Sequence, residues 1–95
     1  MKLYFKDTSP EHLARDIQDH INNNTKYAGL VRIDSKNSGF DVIIQKLGTS
    51  TLEFSQNGSS WDLKKEKIAF SHRPYKEKVY KIIEKIVVQL GGEIR

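Results

Sequence analysis

PYKEKVYKIIEKIVVQL, running from Pro74 to Leu90, places apolar side chains at Tyr75, Val79, Ile82, Ile83, Ile86 and Leu90. That spacing predicts a helix with a single apolar stripe. Pro74 suits a first helical turn, and Gly91 stands where helices commonly stop. A helix this short is marginal alone in water, so its stripe must be buried. Each large side chain gains roughly 1.5–3 kcal/mol on full burial, so several together make the docking decisive. The rest of the chain has to supply the surface on which this helix lies.

Upstream residues read as strands. Asn57-Gly58 between two alternating runs predicts a type I′ hairpin. With those two residues as the loop, Phe54 lies opposite Trp61 and Leu52 opposite Leu63, all on one face. Past Leu63, Lys64-Lys65-Glu66-Lys67 interrupts the alternation before Ile68 and Phe70 resume it. One strand bent at a bulge, or two short strands, would produce this pattern. Before the hairpin, Tyr27–Asp34 and Phe40–Leu47 alternate on either side of the turn residues Ser35–Gly39, and Gly48 breaks the second run as a bulge or tight turn.

At the N-terminus, Lys2–Lys6 reads as a short strand. Thr8-Ser9-Pro10-Glu11 then predicts a helix start with a Thr8–Glu11 capping box. Leu13, Ala14, Ile17 and Ile21 form that helix's stripe, which should end in Asn22–Asn24. Gly91–Arg95 is either a tail or a short edge strand. The expectation is a single α+β domain over residues 1–95, in two layers. An antiparallel sheet of four to five strands, in the order β-α-β-β-β-β-α, carries two helices on one face.

Composition narrows the function. Hydrophobic residues make up 37% of the chain and charged residues 29%, as in ordinary soluble domains. The absence of cysteine excludes disulfides, thiolate metal sites and a cysteine nucleophile. No apolar leader precedes the first strand and no run reaches membrane-spanning length, so the cytoplasm is the expected compartment. Net charge is +4, and its placement is uneven. Residues 1–60 hold seven Lys/Arg and seven Asp/Glu, whereas residues 61–95 hold nine and five. The whole excess therefore lies in the C-terminal third, where it would suit nucleic acid, an anionic membrane or an acidic protein.

The start Pro74-Tyr75-Lys76-Glu77-Lys78-Val79, with Ile83, Ile86 and Leu90 after it and Gly48–Phe54 upstream, resembles the polyhydroxyalkanoic acid system (granule-region) family. The resemblance implies a small helix-grip fold, a curved antiparallel sheet holding a C-terminal helix. It also implies a role at an apolar polymer or lipid surface.

Catalytic motifs are missing. There is no nucleophile elbow, phosphate loop, Gly-x-Gly-x-x-Gly or His-Glu-x-x-His, so a non-enzymatic protein without cofactor or metal is expected. His12, Asp16 and His20 recur every four residues on the first helix. The two histidines are about 12 Å apart along the axis, too far to share one ion. Three binding roles stay open. Lys78, Lys81 and Lys85 share one helix face and, with Arg73, would meet an acidic protein or a second copy of the chain. The same row, with Lys64, Lys65 and Lys67, would suit nucleic-acid phosphates. A gap between helix and sheet, lined by Tyr27, Phe40, Phe54, Trp61 and Tyr80, would instead take an apolar ligand.

Overall fold

The computed structural model describes residues 1–6, 8–24 and 29–95. Among these residues, six strands form one antiparallel sheet: β1 (Lys2–Tyr4), β2 (Val31–Lys36), β3 (Gly39–Gln45), β4 (Thr49–Asn57), β5 (Ser60–Lys67) and β6 (Glu93–Ile94). Their spatial order is β2-β3-β4-β5-β1-β6. Two helices, α1 (Pro10–Asn24) and α2 (Lys76–Gln89), complete the α+β fold, with a 3₁₀ segment, Phe70–Tyr75, leading into α2. The sheet has six strands instead of four to five because Gly91–Arg95 contributes β6, which pairs with β1.

One sheet face carries Leu3, Ile33, Phe40, Val42, Leu52, Phe54 and Trp61, all buried. The stripes of α1 (Leu13, Ala14, Ile17, Ile21) and α2 (Ile83, Ile86, Val87) join them in one cluster. Phe40 stacks on Phe54 at 5.1 Å and tilts against Trp61 at 5.5 Å, which makes β3 the centre of the core. The other face is polar. There Lys36 reaches Asp41 (2.7 Å) and Glu53 (3.4 Å). The hydrogen bond to Asp41, followed by the field of the two carboxylates, raises the Lys36 pKa above its ordinary 10.5.

Local chemistry shifts several elements from their expected limits. The first helix is capped by Ser9, whose hydroxyl accepts the His12 N–H (3.1 Å), with Pro10 as its first residue. The Thr8–Glu11 spacing placed that cap one residue too early. The hairpin loop is Gly58-Ser59, flanked by the pair Asn57 and Ser60. Gly58 has φ +65° while Ser59 does not enter the positive-φ region, the pattern of a type II′ turn. Trp61 therefore faces Gln56, and Phe54 faces Leu63. The register returns to expectation only in its parity: the apolar residues still share one face. A bulge at Lys64 then turns Glu66 opposite Leu52. From there its carboxylate meets Lys76 (2.6 Å) at the start of α2. The fifth strand ends at Lys67, so Ile68 and Phe70 lie beyond the sheet.

The C-terminal end of α2 is a Schellman motif. Gly91, at φ +89°, donates to Val88 O (3.1 Å), and Gly92 donates to Val87 O (2.8 Å). This reverses the chain into β6 beside β1. At the opposite edge, Gln18 of α1 occupies the open side of β2. Its amide nitrogen donates to Val31 O (3.2 Å), and its amide oxygen accepts the Ile33 N–H (2.7 Å). One side chain thus covers part of an edge that would otherwise invite another strand.

Candidate functional site

The two helices do not close over the sheet. Between them lies a cavity of about 430 Å³, within the size range of small-molecule sites. Its floor is the inner face of β2 and β3, including Val31, Ile33, Phe40, Val42 and Ile44. Ile17 and Ile21 form one wall, and Val79, Ile82, Ile83, Ile86 and Val87 form the other. The gap follows from position along the sheet: α1 is tied by Gln18 to the β2 edge, whereas α2 is drawn by its Schellman turn toward β6. The strands between them are left partly uncovered.

All the polar lining, Lys46, Ser71, His72 and Lys78, gathers at one end. Leu47 and Tyr75 are there too and are 89% and 55% exposed, which identifies that end as the mouth. The rim is built from the β3–β4 turn and the 3₁₀ segment, joined by side-chain hydrogen bonds. Ser71 Oγ donates to the Leu47 carbonyl (2.7 Å). The His72 ring spans the Lys46 carbonyl and Ser50 Oγ, 2.5 Å each. A carbonyl only accepts, so Nε2 holds a proton; in the neutral ring Nδ1 accepts from the buried Ser50 hydroxyl, which itself accepts the Ala69 N–H (2.9 Å). His72 thus acts as a clasp between the turn and the segment entering α2.

Of the residues expected around a gap, Phe40 lies on the cavity floor. Phe54 and Trp61 fill the core behind it, at 2% and 0% exposure. Trp61 Nε1 is buried without a hydrogen-bond partner among the described residues. Tyr80 is half-buried outside the cavity lining, with the Lys76 ammonium 5.7 Å from its ring centre. Tyr27 lies outside the described residues. The mouth residues Lys46, Leu47, Ser71 and His72 were not singled out from sequence. Their signal was the apolar residue before Gly48, at a hairpin tip where a polar one is usual.

Lys78, Lys81 and Lys85 do share the solvent face of α2, and Arg73 is exposed on the 3₁₀ segment. None of the four makes an ion pair among the described residues. Arg73 lies over Phe70 (5.5 Å) and Lys78 over Tyr75 (5.7 Å). On α1, His12 and Asp16 approach to 3.3 Å on an exposed face, and the described residues contain no group of three that would hold a metal ion. No helix among them is long and apolar enough to cross a membrane.

No family model, curated protein or solved structure matches this chain.

Proposed function

We propose that the protein binds an elongated apolar small molecule, of the fatty-acyl kind, in the cavity between α1, α2 and the β2–β3 floor. The observation that carries this reading is the segregation of its lining: aliphatic and aromatic side chains along its depth, cations and hydrogen-bonding groups only at the mouth. An acyl chain fits the deep part, and Lys46 and Lys78 suit an anionic head group at the entrance. The role is binding, without a catalytic step.

The test is titration with a fluorescent fatty-acyl probe, followed in parallel by the emission of Trp61, the single tryptophan. Trp61 contacts the floor residue Phe40, so filling the cavity should shift its emission. Ile82→Trp places bulk in the cavity from a partly exposed position and should abolish uptake, read from the probe's own emission because the variant carries a second tryptophan, while the fold persists. Uptake unchanged in this variant would refute the assignment.

A second reading, an acidic protein bound across α2, is favoured by the row Lys78, Lys81 and Lys85, which makes no ion pair among the described residues. Reversing all three to Glu should remove salt-dependent retention on heparin. Retention that survives the reversal refutes it.

A further inference from the structure

We propose that the corner formed by the β3–β4 turn and the 3₁₀ segment docks onto an anionic lipid bilayer. Leu47 and Phe70 enter the interface there, and Lys46, Arg73 and Lys78 engage headgroup phosphates.

Three observations converge on this corner. The first is unexplained apolar exposure: Leu47 is 89% exposed, Phe70 84% and Tyr75 55%. Single exposed apolar residues are ordinary, but here three large ones come from two segments that the fold ties together. Ser71 Oγ holds the Leu47 carbonyl, and His72 holds that of Lys46. The second is backbone strain. Leu47 has φ +54°, the only positive φ at a non-glycine position among the described residues. Such a conformation is unfavourable for leucine and suits Gly or Asn. The Leu47 carbonyl ties the turn to the 3₁₀ segment, but its solvated side chain gains nothing from burial in the isolated fold, whereas a rigid apolar tip is what interfacial insertion needs.

The third is charge. Lys46, Arg73 and Lys78 flank the apolar tips and make no ion pair among the described residues. The nearby Glu66 is neutralised by Lys76. Arg73 and Lys78 lie over the Phe70 and Tyr75 rings, an aromatic–cation arrangement suited to the headgroup layer. Apolar tips ringed by free cations match an anionic bilayer, whose surface attracts each basic residue near it. A nucleic acid would engage the cations while leaving Leu47 and Phe70 in water.

The corner is also the cavity mouth, since Lys46, Leu47, Tyr75 and Lys78 line both. Docking there would set the entrance against the membrane, so that an acyl ligand passes between bilayer and protein without crossing water. This transfer route rests on the proposed ligand-binding function; the docking itself does not.

The experiment is co-sedimentation of the full chain with phosphatidylcholine vesicles, with and without phosphatidylglycerol, at low and high salt. Binding is expected only to the anionic vesicles and should weaken with salt. Leu47→Asn combined with Phe70→Ser should weaken it at least about tenfold, given the apolar area withdrawn. Leu47→Asn alone should melt no lower than the parent, because asparagine tolerates the left-handed backbone; this separates lost docking from lost folding. Lys46→Glu with Arg73→Glu should abolish binding. Equal binding by the apolar double variant, equal binding to both vesicle types, or heparin retention with no vesicle binding each overturn the proposal. Vesicle binding retained by a chain that takes up no acyl probe leaves docking standing and removes the ligand reading, and probe uptake without vesicle binding does the reverse.

Discussion

Replacing Gly39 with alanine is expected to pry β3 from β4 and to damage the cavity floor with it. A Cβ on Gly39 would lie 1.9 Å from the Phe54 carbonyl oxygen and 2.9 Å from its carbon. Ordinary van der Waals contact begins near 3.4 Å, so the strands must separate by about 1.5 Å at this point. The obstacle is backbone, which cannot swing aside as a side-chain tip would. Separation on that scale breaks the local ladder around the Gly39–Ser55 pair and the adjoining Gln56 N–H to Ser38 carbonyl bond (2.7 Å). Two or three hydrogen bonds at roughly 0.5–1.5 kcal/mol each amount to about 1–4.5 kcal/mol. That is a large share of the 5–15 kcal/mol typical of a whole domain. Urea titration followed by far-ultraviolet circular dichroism should show a lower midpoint with little change in slope. Thermal melting should fall by at least about 5 °C. Phe40 follows Gly39 directly and stacks on Phe54, so acyl-probe uptake should weaken as well. A stability change within about 0.5 kcal/mol, the range of ordinary surface substitutions, would refute the claim that this strand pair closes only around glycine.

Ser9→Ala should cost about 0.5–2 kcal/mol through loss of the cap on the His12 N–H, whereas Thr8→Ala should be close to neutral in the same urea titration. Gln18→Ala removes the cover from the β2 edge; hydrogen exchange at the Ile33 amide should accelerate and the chain should self-associate more readily at high concentration. The raised pKa of Lys36 has a defined sign. Its ion pair stabilises the fold fully below about 10.5, the unfolded value, and is lost as pH rises through the higher folded value. Between pH 10 and 12 the parent should therefore lose stability more steeply than Lys36→Met; parallel slopes in denaturation at each pH would refute the linkage.

The legible part of this fold was what one-dimensional patterns encode. The stripe at Val79, Ile83, Ile86 and Leu90 needs only helical periodicity, and alternation in Leu52–Phe54 or Phe40–Ile44 needs only the pleat. The hairpin register was harder. Asn57-Gly58 and Gly58-Ser59 loops leave the same side chains on the same face, so burial parity cannot choose between them; the backbone of Gly58 does. The candidate site was least legible. Its floor residue Phe40 follows from alternation, but alternation points equally to Phe54 and Trp61, and helical spacing beside the α2 stripe points to Tyr80, and these three lie outside the cavity lining. Apolar pattern says that a residue is covered, and does not say by what.

From the sequence alone came the two amphipathic helices, the antiparallel strands, the α+β class and the basic bias of residues 61–95, because each depends on near neighbours in the chain. Tertiary structure decided the rest. Where α1 and α2 come to lie depends on Gln18 reaching a strand edge thirteen residues or more away and on Gly91–Gly92 turning the chain into β6. Those long-range ties set how far the helices close over the sheet, and the resulting space, with Leu47, Lys46 and Lys78 at its mouth, is a property of packing that no local segment contains.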